Sequence, residues 1–208
     1  MIKTIIFDLG GVILTIDQDE ALRRFTALGL KDATTWLDPY TQKGIFGDLE
    51  EGKISAETFR AELSKLAGRE LTMADCDYAW HGYVEAVPQR NLQTLKALRA
   101  RGYQICLLSN TNPFMMHWAL SKDFDGAGNS IEAYFDRLYL SYQCKVMKPA
   151  QRIFEMVLEG EQVKPEETLF IDDSPANCAA AEQLGIRTLC PPNNEDWTEA
   201  LEKLLCPA

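Results

Sequence analysis

Apolar positions along the chain follow two rhythms. Five short β-branched or apolar runs bounded by turn signals, at residues 4–7, 104–108, 137–140, 168–171 and 187–189, have the pattern of strands buried on both faces of a parallel sheet. Between the later runs the spacing becomes helical. Leu92, Leu95 and Leu98 share one face of residues 91–101, and Ile153, Phe154, Val157 and Leu158 share one face of residues 150–158. Strand and helix in alternation predict an α/β fold with a doubly wound parallel sheet.

The segment between the first run and the second is far too long for a simple crossover. It is rich in helix signals and poor in strand signals. Ser55 precedes a first turn containing Glu57, and Thr72 with Asp75 three residues later makes a capping-box pattern ahead of Tyr78 and Trp80. A helical bundle is therefore expected at residues 15–87, inserted into an α/β core made of 1–14 and 88–208. The stretch KDFDGAGNS at 122–130 is the expected mobile loop.

Composition narrows the function classes. The chain has 208 residues, 46% of them hydrophobic and 25% charged, as in an ordinary globular protein. No apolar run approaches the roughly 20 residues of a membrane helix, and the N-terminal apolar stretch follows a lone Lys3 without a small-residue cleavage site. A cytoplasmic protein is expected, as a monomer. The net charge of −10 argues against nucleic acid, which needs a basic surface. It is a weaker objection to a small anionic substrate, because one bound metal can reverse the local potential. The six cysteines are scattered, with no C-x-x-C, and read as reduced packing residues. His81 and His117 have no companion at metal-ligand spacing. Trp80, His81 and Tyr83 read first as core of the bundle.

Polar clusters fall where strands should end. FDLGGVI places Asp8 after the first strand, with Gly10 and Gly11 to turn the backbone. LSNTNP places Ser109 and Asn110 at the second strand's end, and Asn112 then caps a helix that has Pro113 at its first position. Lys148-Pro149 opens the Ile153-Phe154 helix, and Asp172-Asp173 end a strand ahead of Ser174-Pro175. In an open α/β sheet the strand C-terminal ends form the ligand crevice. Asp8 beside Asp173 puts two negative charges in one pocket, for which Mg²⁺ is the natural partner. With Lys148 and the metal neutralising a phosphate, Asp8 can attack phosphorus and form an aspartyl-phosphate. Ser109 and N–H groups at the following helix start would hold the phosphate oxygens.

These motifs, in this order, resemble those of the haloacid dehalogenase-like hydrolase superfamily across nearly the whole chain. The resemblance implies Asp8 as nucleophile, Ser109 as phosphate ligand, Lys148 as the third motif's lysine and Asp172-Asp173 as the acidic fourth motif. It further implies the Gly10 carbonyl, Asp8 and Asp173 as metal ligands, with Asp172 acting mostly through water, and a cap of the four-helix type. LSNTN, KPxxxIF and FIDDxxxN are most similar to the α-D-glucose-1-phosphate phosphatase type and to epoxide hydrolase N-terminal domains. The expected activity is a Mg²⁺-dependent phosphatase acting on a small phosphorylated metabolite, with sugar phosphates among the candidates.

Gly10 departs from the pattern, since most phosphatases of the family carry an aspartate there as general acid and base. Three outcomes stay open: another residue serves, a water serves, or the leaving group is good enough, as in an anomeric or acyl phosphate. Asp17 is the nearest spare carboxylate in sequence, with helix capping as its alternative role. Two other functions are weighed. A metal-independent 2-haloacid dehalogenase would also lack the second acid but has no use for the Asp172-Asp173 pair, and a catalytically weak phosphate-binding or regulatory protein would not need the full set. A mutase is disfavoured by Gly10.

Overall fold

A computed structural model describes residues 1–37 and 42–206. Strand β1 (Thr4–Phe7) is followed by the short β2 (Thr15–Ile16), and helices α1 (Gln18–Leu28), α2 (Ile45–Glu50), α3 (Ala56–Ala67) and α4 (Met73–Trp80) come next. Then β3 (Val84–Ala86) leads to α5 (Gln89–Ala100), β4 (Gln104–Ser109) and α6 (Pro113–Ala119). The remainder is β5 (Arg137–Leu140), α7 (Ser141–Cys144), α8 (Gln151–Glu161), β6 (Thr168–Ile171), α9 (Pro175–Gln183), β7 (Arg187–Leu189) and α10 (Thr198–Leu205). All five predicted strands are present, and the second runs one residue further, to Ser109.

They form one parallel sheet in the order β5-β4-β1-β6-β7. The chain builds outward from β1 through β4 to β5, then returns to β1's other side with β6. That reversal opens a crevice beyond the C-terminal end of β1. The strand interiors explain the order: every residue of β1 and β6 is buried, as continuous apolar runs require at the centre of a helix-covered sheet. One apolar cluster, including Ile5, Phe7, Leu95, Leu107, Leu169 and Trp197, packs on one face, and a second, including Ile6, Leu108, Phe154 and Phe170, on the other.

The inserted helices carry their own apolar cluster, built on Phe25, Phe46, Phe59, Leu63 and Trp80 and completed by Phe114 of α6. Phe46 meets Phe25 at 5.1 Å and 78°, and Phe59 at 5.1 Å and 85°. These edge-to-face contacts add to the roughly 1.5–3 kcal/mol that burying each such side chain contributes. The caps form as their residues suggest: Ser55 Oγ accepts from Thr58 N, and Thr72 and Asp75 close a reciprocal box. The antiparallel β2–β3 ribbon was not expected from the sequence. At two and three residues, its strands are too short to show a period of two. It joins the two ends of the insertion and sets the lobe directly over the crevice, where Leu14, Ile16, Trp80 and Tyr83 line the same pocket as Asp8.

Residues 122–130 contain no regular element, yet Phe124 and Asp125 are buried. Asp125 accepts from Ala127 N at 2.8 Å, Asn129 N at 2.9 Å, Asn129 Nδ2 at 2.7 Å and Tyr134 Oη at 2.6 Å. The segment expected to be mobile is a turn fastened around one carboxylate. These bonds hold the Asp125 carboxyl well below the usual range, Tyr134 contributing most.

Candidate active site

Sharp turning after β1 brings Asp8 to the crevice floor. Ile13 N and Leu14 N both return to Leu9 O, at 2.9 and 3.0 Å, and Gly11 adopts φ +75°. A Cβ on Gly11 would lie 2.5 Å from Asn193 Oδ1 and 2.9 Å from Asp173 Oδ2. Glycine is therefore required twice there, for the left-handed backbone and for the approach of Asp173. Gly10 is different: it keeps an ordinary backbone conformation, and a Cβ there would meet only Ile16 Cγ2, at 3.3 Å. Distant residues pin this loop. Asn91 Nδ2 donates to Val12 O at 2.9 Å and Ile13 O at 3.0 Å, and Trp197 Nε1 to Val12 O at 2.7 Å. Asn194 accepts from Ile16 N and donates to Ile16 O. None of these supports was legible as such, since each spans more than seventy residues.

Lys148 reaches the same floor, with its side chain 1% exposed. Its Nζ lies 2.8 Å from Asp8 Oδ1 and 2.6 Å from Asp172 Oδ2. Asp172 is wholly buried and also accepts from Ser174 N at 2.8 Å and Asn177 Nδ2 at 3.1 Å. Asn177 thus orients the acidic turn rather than facing solvent. Asp8, Asp172 and Asp173 each present an oxygen within 4.8 Å of the others. Burial, opposed by Lys148 and reinforced by Asp172, raises the Asp8 carboxyl to about 7. Asp173 is raised to about 6, first by burial and then by Asp172. Burial disfavours the Lys148 charge, but Asp172 and Asp8 outweigh it and its pKa goes up. Three carboxylates against one ammonium leave a surplus of negative charge in a desolvated site. A hard divalent cation with oxygen ligands fits that set, because it relieves the repulsion without a new protein ligand.

Ser109 is buried at the end of β4 and lines the pocket. Asn110 lines it too, but both its side-chain polar atoms are engaged: Nδ2 donates to Lys148 O and Oδ1 accepts from Lys148 N, each at 2.9 Å. It positions the lysine. The N–H groups at the start of α6 are likewise taken, Phe114 N and Met115 N by Asn112 Oδ1 and Thr111 N by Ser141 Oγ. Three N–H groups of the expected helix-start cradle for phosphate are thus engaged within the protein. Asp17 caps α1, with Glu20 N donating to Oδ1 at 2.8 Å, and is not among the pocket-lining residues.

The pocket's other wall comes from the lobe. Glu50, at the end of α2, and Trp80 and Tyr83, at the end of α4 and just after it, face the space above Asp8. Sequence reading passed over Glu50, which sits in an unremarkable acidic helix end. Burial pushes its carboxyl from 4.5 to about 8, with Asn112 favouring the charged form and Asp8 disfavouring it. Trp80 is 1% exposed, and its Nε1 has no partner among the described residues; the same holds for Asn112 Nδ2, which lies near Glu50 without hydrogen-bond geometry. His81 packs edge-on to Trp118, and His117 Nδ1 lies 3.1 Å from Asp77, away from the floor. All six cysteines are free, and no helix among the described residues is long and apolar enough to cross a membrane.

Comparison with known proteins agrees with this layout. The family model described as haloacid dehalogenase-like hydrolase matches residues 2–185. A D-ribitol-5-phosphate phosphatase of Bacteroides thetaiotaomicron is 48% identical over 205 residues, 99% of each chain. Among solved structures, a HAD-like family hydrolase from Porphyromonas gingivalis superposes with a TM-score of 0.94 at 43% identity, covering all of both chains. The enzyme bt-2542 from B. thetaiotaomicron, solved in complex with magnesium and inorganic phosphate, gives a TM-score of 0.87 at 34% identity over 96% of this chain and 99% of its own.

Proposed function

The chain belongs to the haloacid dehalogenase-like hydrolase family, and from that premise we propose that it is a Mg²⁺-dependent phosphatase for a small sugar or alditol phosphate. The observation that carries the reading is the convergence of Asp8, Asp172 and Asp173 from two strand ends, and of Lys148 from the loop ahead of α8, at one buried floor. The phosphate complex of bt-2542 and the activity named for the 48%-identical relative support the same chemistry.

Asp8, Asp173 and the Gly10 carbonyl would hold the metal, with Asp172 acting through water because its oxygens already serve Lys148, Ser174 and Asn177. When bound, Mg²⁺ supplies charge neutralisation at the phosphate oxygens. Asp8 Oδ attacks phosphorus, the ester oxygen leaves, and water then hydrolyses the aspartyl-phosphate. Lys148 Nζ fixes the nucleophile and balances charge, and Ser109 Oγ donates to a phosphate oxygen. Residues 15–87 act as a cap over a core of 1–14 and 88–208, and the cap wall selects the alcohol portion. A ribitol 5-phosphate is an ester of a primary alcohol, a poor leaving group. The relative's substrate therefore favours an acid supplied by another group over the anomeric or acyl phosphate that Gly10 alone suggested.

The test is phosphate release from pentitol, pentose and hexose phosphates, acetyl phosphate and 2-haloacids, with Mg²⁺ and with chelator. Mg²⁺-dependent release that is greatest on a pentitol or pentose phosphate is expected. Halide release in chelator would overturn the reading in favour of a dehalogenase.

A further inference from the structure

Gly10 has no carboxylate, and a Cβ there would meet Ile16 Cγ2 at 3.3 Å. Asp17 is committed to its helix cap. Apart from the floor set of Asp8, Lys148 and Asp173, the titratable residues lining the pocket among the described residues are Glu50 and Tyr83. Tyr83 lies within the aromatic stack on Trp80. Glu50 is anchored by its backbone, whose carbonyl accepts from Ser141 Oγ at 2.6 Å. Ser141 is tied in turn to Thr111, in the loop after β4. The residue is fixed to the core although it belongs to the lobe. Its carboxyl is free of any ion pair among the described residues.

We propose that the Glu50 carboxyl supplies the acid and base function for the alcohol side of the reaction, the role that Gly10 cannot fill. The proposal rests on the phosphatase reading above. In the first step the protonated carboxyl gives its proton to the ester oxygen as the phosphorus–oxygen bond breaks and the bond from Asp8 to phosphorus forms. In the second the Glu50 carboxylate takes a proton from water as the water oxygen bonds to phosphorus and the Asp8–phosphorus bond breaks. Glu50 ends protonated and Asp8 free, so the cycle closes without a further reactant. Burial keeps the group protonated at neutral pH, and Asp8 adds to that by repulsion. The other charges nearby are Asp173 and Lys148 on the floor, Asp48, Glu51 and Lys53 along and just after α2, and Lys145, which donates to Gly52 O. None of these ranks with burial, Asn112 and Asp8 in setting the Glu50 proton.

The experiment compares wild type and Glu50→Gln on ribitol 5-phosphate and on p-nitrophenyl phosphate, with saturating Mg²⁺, from pH 5 to 10. Glu50→Gln should lower kcat on the alditol ester by about 10²–10⁴-fold. It should release nitrophenol from the aryl ester in a burst of about one per enzyme before slow turnover, because aryl departure needs no acid but water attack still needs the base. Wild type should show a falling limb of kcat/KM near pH 8 on the alditol ester that is weaker on the aryl ester. Equal slowing of both esters without a burst overturns the proposal, as does full activity of Glu50→Gln. The wild-type limb decides even if the variant folds poorly: no difference between the two esters across pH 8 refutes it. Wild type inactive on every phosphate ester is the distinct result that removes the phosphatase reading itself.

Discussion

The floor of the pocket and its lobe wall treat polar groups in opposite ways. On the floor Lys148 bridges Asp8 and Asp172, Asp172 is further held by Ser174 and Asn177, and Asp173 alone has no ion pair among the described residues. On the wall and at its rim, Trp80 Nε1 and Asn112 Nδ2 have no partner among the described residues, and Glu50 is buried without an opposite charge. A satisfied ionic network is preorganised for one reaction and costs little to rearrange as charge develops. Unsatisfied buried groups cost stability until something binds them, so they are where a substrate's hydroxyls gain most. On the proposed reading the floor holds the nucleophile, and the wall supplies the Glu50 proton and the contacts that choose the ester.

Removing the proposed nucleophile gives the largest separation of the two. Asp8→Asn should lower kcat by roughly 10⁴-fold or more, since the parts of a nucleophilic machine act as a unit. Substrate binding to the wall should survive, so a fluorescence titration with ribitol 5-phosphate should still saturate. Residual Mg²⁺-dependent turnover above about 1% of wild type would mean that water attacks phosphorus directly.

Lys148→Met comes next and tests the floor as structure. It leaves Asp8 and Asp172 buried without their cation, and breaking one partner of a buried pair typically costs about 3–5 kcal/mol. At roughly 2–4 °C per kcal/mol for a chain of this size, Tm should fall by about 10 °C in chelator. Mg²⁺ should restore part of the loss by relieving the same repulsion. A Tm within about 2 °C of wild type would show that the two acids take up protons at little cost once the lysine is gone.

The floor was legible in the sequence because each of its parts is local. A carboxylate, a serine or an acid pair ends or directly follows an apolar run, and chain direction in a parallel sheet brings all run ends to one edge, while Lys148 is marked by Pro149 and the Ile153-Phe154 helix it precedes. The wall was not. Glu50 lies in FGDLEEG, where nothing separates it from Asp48 or Glu51; its place at the pocket comes from the fold, where Ser141 Oγ holds its backbone carbonyl. Asn110 was assigned to phosphate, although both its polar side-chain atoms face the Lys148 backbone, a contact 38 residues away in sequence. Asn91, Asn194 and Trp197 escaped notice for the same reason. Local pattern places the ends of strands, whereas long-range hydrogen bonds decide which polar side chain is left over for a ligand.

A smaller effect sharpens the wall. The folded state holds the Glu50 proton up to about pH 8, while the unfolded chain releases it near 4.5. Between those values the native state binds more protons, so this group's contribution to stability falls as pH rises and levels off above 8. Glutamine does not titrate. In chelator, the stability of Glu50→Gln relative to wild type should be flat below about pH 4.5 and shift in the variant's favour from pH 5 to 8, each pKa unit being about 1.4 kcal/mol. Asp8 and Asp173, raised to about 7 and 6, slope the same way in both proteins and cancel in the difference apart from the repulsion that Asp8 shares with Glu50. A pH-independent difference in urea midpoints would show that the carboxyl titrates as it does in the unfolded chain.

Trp80→Phe should have the least effect on stability and the most specific effect on substrate choice. The ring packs edge-on to Phe25 at 5.5 Å and stacks on Tyr83 at 5.8 Å. Phenylalanine keeps most of that surface and deletes a buried N–H that has no partner among the described residues. The lost packing and the removed desolvation penalty, each about 1–3 kcal/mol, oppose each other, so Tm should move little. If the indole N–H meets a hydroxyl of the alditol, losing that bond should lower kcat/KM on ribitol 5-phosphate by about tenfold. p-Nitrophenyl phosphate has no hydroxyl to offer, so its kcat/KM should hold. The ratio of the two constants is the measurement. An unchanged ratio would mean that the wall selects by shape alone, and the unsatisfied indole would then be a cost of packing rather than a means of recognition.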